Sequence, residues 1–427
     1  MKRTRVFLVT LFAMVCCGQG ASAALLAGPE YDTLVSIYDQ TNGSQWQNTV
    51  LQMQPWKTGD ACKWYGIICD AQDHVILIGP SNNNLQGLLP SLDALTSLQV
   101  IVFSGNKLSG KIPSLSALTA LVSAEFIDNS FSGPIPLLDG LSNLKFFNVG
   151  GNHLTGEIPK LDDLHSITDF ICINNELTGS IPSALAKLTA LQTFAASHNV
   201  LTGQIPDLSK LTALDTFDVS YNYLHGTIPT LNALPNLRRF SVQYNGLQGE
   251  LPELSNLGTL ERFDASYNLL TGSLRQFFGL PKLNSFRVSG NLLEGPLPDL
   301  GATPALTDFE GDDNLFTGSV PDISMFSSSS VFSVERNQLT GTLPFSNTGY
   351  TRQFRVAGNH LTGPIPTASF ILLPSKSSLC PNAFDFNTDT ASANDLQWDA
   401  AVGAVGSHWW GPPGGGCDAI FVDGFGK

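Results

Sequence analysis

Three tyrosines, Tyr221, Tyr244 and Tyr267, fall 23 residues apart, with Arg239 and Arg262 in the intervals. Phenol rings stacked beside guanidinium groups offer broad contact area with polar tips, the composition enriched at interface centres. The chemistry this spacing supports is recognition. Arg287 follows, then Asp308, Glu310, Asp312, Glu335 and Arg355; opposite charges on neighbouring strands can equally pair with one another. Catalytic constellations are harder to assemble. The histidines His74, His153, His165, His198, His225, His360 and His408 show no pair at metal-ligand spacing. Asp312 and Asp313 near Glu310 could gather a calcium ion, but the run lacks the alternating oxygens of a dedicated loop. No Gly-x-Ser-x-Gly, phosphate-binding loop or dinucleotide fingerprint occurs. The residues therefore point to a binding protein, not an enzyme, with neither metal nor cofactor.

These residues are placed by a repeat. The phrase Asn-x-Leu-x-Gly-x-Ile-Pro or a close variant is anchored at Asn83, Asn106, Asn129, Asn152, Asn175, Asn199, Asn222, Asn245, Asn268, Asn291, Asn314, Asn337 and Asn359, nearly always at a 23-residue step. A fixed period in this range means a solenoid. In the unit ending at Asn245, apolar Phe240 and Val242 alternate with polar neighbours, the period of a short strand with one buried face. The asparagines should form a structural ladder, each amide bonding backbone groups of its own and adjacent coils. Phe147, Phe170, Phe194, Phe217, Phe240, Phe263, Phe286, Phe309, Phe332 and Phe354 all lie five residues before their asparagine, so a stacked aromatic spine at strand spacing, about 4.8 Å, is expected inside the coil. Return segments rich in Ser, Asn and Gly should be irregular or 3₁₀ turns.

Alternation sends the residues six, four and two before each asparagine outward. Read in order, this face begins apolar, with Val100, Val102, Ile127, Phe146, Ile171 and Ile173, and then turns polar and charged. An apolar patch facing water marks a contact surface, although β-branched residues suit strands on either face. The column immediately before the asparagine admits Gly105, Asp128, Gly151, Asn174, His198, Gly290, Asp313 and Gly358, so tyrosine there answers no demand of the repeat.

The unit resembles the plant-type leucine-rich repeat, whose pattern runs Leu-x-x-Leu-x-x-Leu-x-Leu-x-x-Asn-x-Leu-x-Gly-x-Ile-Pro. Tyr31, Tyr38, Trp46, Trp56 and the run Asp60-Ala-Cys62-Lys-Trp64-Tyr-Gly66-Ile-Ile-Cys69 look like the cap that opens such arrays, and Cys380-Pro381, Trp398 and His408-Trp409-Trp410 ahead of Cys417 are similar to C-terminal caps of secreted bacterial members. The resemblance implies an α/β-class right-handed solenoid with a parallel sheet on the concave face and 3₁₀ or irregular turns on the convex face. It also implies the work of receptor ectodomains and secreted polygalacturonase inhibitors. Departures fall at Pro80 in the first strand, at Arg275 in place of a proline, at 326–330, and at Pro182-Ser-Ala-Leu185, which alone keeps an extra residue.

The ends of the chain add compartment. Met1 to Arg5 is basic, Val6 to Cys16 apolar and Ala21-Ser-Ala23 small, the pattern of a secretory signal peptide cleaved after Ala23. Loss of Lys2, Arg3 and Arg5 with it takes the formal charge from −14 to −17, which disfavours nucleic acid and anionic membrane as partners. Export favours a disulfide in each cap, Cys62 with Cys69 and Cys380 with Cys417. Cys172 falls at a repeat position otherwise held by Val149, Val219, Val242 or Ala265 and reads as a buried thiol. The expected organisation is a signal peptide (1–23), an N-terminal cap (24–75), thirteen repeats (76–371) and a C-terminal cap (372–427). The one sequon, Asn42-Gly-Ser44, and the tail favour a bacterial source. The expected protein is secreted, extracellular or at a periplasmic or cell surface, with no membrane span. Its concave face binds a protein, host-derived or associated with a cell wall, through Tyr221, Tyr244, Tyr267, Arg239, Arg262, Arg287, Phe146, Ile171 and Ile173. The alternatives are inhibition of a cell-wall-degrading hydrolase and carbohydrate binding as an adhesin.

Overall fold

A computed structural model describes residues 26–47, 54–323, 330–344, 351–367, 377–385 and 393–402. The expected signal peptide, Cys417 and His408-Trp409-Trp410 lie outside these residues. Two compact units, Met1–Leu154 and Thr155–Lys427, make up the chain.

In the first unit, Pro29 starts the helix Pro29–Gln40, where its fixed φ suits the first turn, and Leu34 and Ile37 are the buried face. Tyr38, Trp46, Trp56 and Trp64 cluster with ring centroids 4.8 to 6.5 Å apart. The indole N–H of Trp56 donates to the Tyr65 carbonyl at 2.8 Å and that of Trp64 to Thr58 at 2.7 Å, so burial leaves neither donor unpaired. Cys62 is bonded to Cys69. Strand Ile67–Cys69 pairs antiparallel with Val75–Ile78, and Gly66 is required just before the first, where it faces the residue after the second: a Cβ there would stand 2.8 Å from the Gly79 carbonyl carbon. The second of these strands stops at Ile78, two residues before Pro80. It then pairs parallel with Val100–Val102, that strand with Ser123–Glu125, and that with Phe146–Asn148.

In the second unit a parallel ladder runs in register from Asp169–Ile171 through Thr193–Ala195, Thr216–Asp218, Arg239–Ser241, Arg262–Asp264, Ser285–Arg287 and Asp308–Glu310 to Ser330–Ser333, and the last pairing, with Thr351–Arg355, shifts register between Ser330 and Val331. The fold is thus a parallel-sheet leucine-rich-repeat solenoid with few helices. Return segments are turns, as composition implied. The extra residue of Pro182-Ser-Ala-Leu185 is taken up by the 3₁₀ helix Ser183–Lys187. Helix Ala393–Val402 closes this unit with Trp398 against Phe354, ring centroids 6.0 Å apart. Cys380 is disulfide-bonded.

The asparagines bond as a ladder. Asn222 Nδ2 donates to Ala196 O of the preceding coil at 3.0 Å and to Val219 O and Ser220 O of its own at 3.1 Å, while its Oδ1 accepts from Leu201 N at 2.9 Å. The phenylalanines from Phe170 to Phe354 stack with centroids 5.3 to 5.9 Å apart and planes within 13 to 22°. This exceeds the strand spacing because parallel rings settle offset and not face to face. Cys172 is buried in this core, and burial pushes its thiol far above the ordinary range.

The residues after each asparagine hold a feature that the period alone did not announce. They form second, shorter parallel ladders, such as His225–Gly226 with Gly246–Glu250 and Gly246–Glu250 with Leu269–Thr271. These strands are two to five residues long and several carry glycine, so alternation within them is too brief to read.

Candidate functional site

The residue before each ladder asparagine sits in the left-handed region in all thirteen repeats, from Asn82 at φ 50° to Gly358 at φ 72°. A backbone that must turn sharply to bury the next side chain imposes this, and it explains why Gly, Asn and Asp recur there. Tyr221, Tyr244 and Tyr267 adopt the same conformation at φ 54°, 56° and 56°. A bulky side chain in this region costs about 1–2 kcal/mol, so the repeat selects against tyrosine. The rings stack, 4.5 Å apart for Tyr221 and Tyr244 and 4.4 Å for Tyr244 and Tyr267. His198 extends the stack, its ring 4.2 Å from that of Tyr221. Sequence reading places it in this column, but only among the residues that the position tolerates. At the other end a Cβ on Gly290 would come 2.6 Å from Tyr267, so the last ring lies against a glycine. The three tyrosines remain 40 to 45 % exposed.

A second exposed column went unread. Val200, Tyr223, Leu269, Leu292 and Leu315 each follow a ladder asparagine directly, and each is among the exposed large apolar residues. With the tyrosines before the asparagines, they make the flank of the second unit largely apolar.

The arginines part company. Arg239 donates to Thr216 Oγ1 at 3.1 Å and approaches Asp215 at 3.6 Å. Arg287 donates from Nε to Asp308 Oδ2 at 2.8 Å and lies 3.6 Å from Glu310. The Arg262 guanidinium has no carboxylate or hydrogen-bond partner among the described residues, although its backbone N–H donates to Arg238 O at 3.0 Å. It lines a polar hollow of about 350 Å³ with Gln243, Asp264, Ser285, Arg287 and Asp308. Among the described residues, Gln243 Oε1 and Asp308 Oδ1 are buried there without a hydrogen-bond partner, which leaves two acceptors unsatisfied. Burial raises the Asp264 carboxyl above the usual range and pushes Glu310 up to about 7.

The acidic pair considered for calcium is engaged elsewhere. Asp312 Oδ1 accepts from Ser333 Oγ at 2.6 Å and Glu335 N at 2.7 Å, and Asp313 pairs with Arg336. Of the apolar residues, Val100 and Val102 are buried in the first unit and Ile127 and Phe146 half-buried; Ile171 and Ile173, in the second, are half-buried.

No family model matches the chain, and no curated protein does. Solved structures with the same solenoid include leucine-rich-repeat ectodomains of plant receptors. The PEPR1–AtPEP1 complex shares 27 % identity at a TM-score of 0.72, over 83 % of this chain and 52 % of that one. The plant peptide hormone receptor RGFR1 with RGF2 shares 28 % at 0.66, over 71 % and 51 %. The Arabidopsis receptor kinase HAESA with the peptide hormone IDA and the co-receptor SERK1 shares 26 % at 0.63, over 84 % and 66 %. The chain thus spans about half the length of the first two. A plant ice-binding protein shares 27 % at 0.55 and is covered over 95 % of its length. No helix among the described residues is long and apolar enough to cross a membrane.

Proposed function

We propose that this chain is a non-enzymatic, extracellular recognition module that binds a peptide or protein. The binding surface is centred on His198, Tyr221, Tyr244 and Tyr267, with Arg239, Arg262 and Arg287 beside them. The observation that carries the reading is tyrosine held three times in a backbone conformation that disfavours it. Local strain retained at successive positions marks a residue kept for what it contacts. Unpartnered Arg262 beside the orphaned acceptors Gln243 Oε1 and Asp308 Oδ1 adds polar groups that a ligand would complete. The peptide-bound receptors are in keeping with this.

The test replaces all three tyrosines by asparagine, which the column already accepts at Asn174 and which tolerates the left-handed turn better than alanine. Stability should hold, while a partner captured by the wild-type chain and identified by mass spectrometry should be lost. Undiminished capture would place the binding centre elsewhere. Hydrolase inhibition and carbohydrate binding are narrower readings, separated by assays with purified polygalacturonases and by a glycan array. A second reading rests on the exposed Thr317, Thr340 and Thr362, three residues after the asparagines of successive coils. Hydroxyl groups repeated at strand spacing, about 4.8 Å, are a regular array of the kind an ice surface could meet. An ice recrystallisation assay without effect would remove this reading.

A further inference from the structure

The exposed apolar column of the second unit is confined to six successive coils. From Asn199 to Asn314 the residue after each ladder asparagine is Val200, Tyr223, Gly246, Leu269, Leu292 and Leu315; on earlier coils the same position holds Asn84, Lys107, Ser130, His153 and Glu176, and on later ones Gln338 and His360. The repeat itself therefore asks for nothing apolar there. The five side chains of the stripe are each 40 to 67 % exposed, so the surface is open and solvent covers it at a cost. Beneath them the backbone is pinned, the N–H groups of Tyr223 and Leu292 donating to Leu201 O and Leu270 O of the preceding coils at 2.8 Å and that of Leu315 to Leu293 O at 2.7 Å. A contact made on this stripe needs little ordering of the chain. Two residues further along each coil runs a second exposed column, Thr202, His225, Gln248, Thr271, Glu294 and Thr317.

We infer that this stripe is the contact between two copies of the chain, packed face to face about a two-fold axis that runs parallel to the strands between the coils of Gly246 and Leu269. Such an axis turns the order of the coils around while keeping each column opposite itself. Val200 then meets Leu315 of the other copy, Tyr223 meets Leu292, and Gly246 meets Leu269. Gly246 is not a positive-φ glycine, so no left-handed turn imposes it; it leaves a notch in the middle of the stripe, and the side chain brought to that notch is a leucine. In the second column the same operation sets Thr202 against Thr317, Gln248 against Thr271, and Glu294, its only carboxylate, against His225, whose imidazole N–H can donate to it. Both columns are thus complementary to their own reversal, in size and in polarity, which is the property an isologous interface requires and an unrelated partner would not produce. The five apolar side chains expose on the order of 450 Å² per copy, and with the second column the pair buries more than about 1,000 Å², the area a specific interface needs. The stripe is a different column from that of Tyr221, Tyr244 and Tyr267, and the inference does not rest on them.

The experiment is sedimentation of the full chain over about 1 to about 100 µM, where an interface of this size should show a monomer–dimer equilibrium. Leu269→Glu with Leu292→Glu places two carboxylates per copy inside the contact and should raise the dissociation constant about 100-fold or more. Both positions are exposed in the single chain, so the thermal unfolding midpoint of the diluted variant should stay that of the diluted wild type, which shows that it is folded. Gly246→Leu fills the notch and should weaken the dimer about tenfold or more, because two leucines then compete for one space at each of two equivalent places. Replacing Tyr221, Tyr244 and Tyr267 together by asparagine should leave the dimer intact, which separates this contact from the tyrosine surface. A monomer at every concentration, a dimer indifferent to the paired glutamates or to Gly246→Leu, or a dimer lost with the tyrosines would each overturn the inference.

Discussion

At the scale of single residues, the repeat's asparagine and the residue before it form one device. The left-handed turn at Tyr221 aims Asn222 into the coil, and the amide then satisfies carbonyls on two coils at once. Asn222→Ala should remove about 3 kcal/mol of stability in urea unfolding, because several buried backbone groups lose their partner together at roughly 1–3 kcal/mol each. A loss below about 0.5 kcal/mol would mean that water replaces the amide. The ladder itself was legible in the sequence, since thirteen identical residues at one spacing admit little else. The strain was not. Only the dihedral angles show that tyrosine is unfavourable in its column, which turns an unusual residue choice into evidence of use.

Among elements, the phenylalanine spine takes the role that leucine fills in shorter cores. Phe263, fully buried, stacks 5.6 Å from Phe240 and 5.3 Å from Phe286. Phe263→Ala should cost about 3–5 kcal/mol through lost burial and the cavity left behind, read as a lowered urea midpoint. Phe263→Leu should cost less, and equal costs for the two would show that the stacked ring, not the volume it fills, carries the stabilisation. Strand positions and inward faces were readable from the period-two alternation around Phe240 and Val242. The second ladders were not, because runs such as Leu269–Thr271 are shorter than the pattern needed to recognise them.

For the whole molecule, the acidic balance is unevenly distributed between paired and unpaired carboxyls. Exposed Asp162 is held below its usual range by Lys187, and Asp207 by hydrogen bonds from Ser209. Glu125 and Glu310 are instead raised to about 7, chiefly by burial. An acid raised in the folded state binds its proton more tightly there than in the unfolded chain, so its stabilisation is complete below the unfolded value and disappears as pH rises through the folded one. Stability should therefore climb as pH falls from 8 to 5, with Glu125 contributing on the order of 3 kcal/mol. Thermal unfolding across that range should show the rise, and Glu125→Gln should flatten part of it. A stability maximum at pH 8 would contradict the burial of these acids.

The sequence by itself determined the solenoid, the ladder, the aromatic filling and the surface that remains free to vary, because a repeat compares each position with itself many times over. What only the tertiary structure decided is which of those free residues are committed to one another. Among the described residues the side chains of Arg239, Arg287 and Arg355 find partners while those of Arg262 and Glu125 do not. Pairing depends on distances of a few ångströms between side chains on adjacent coils, and neither residue type nor period carries that information.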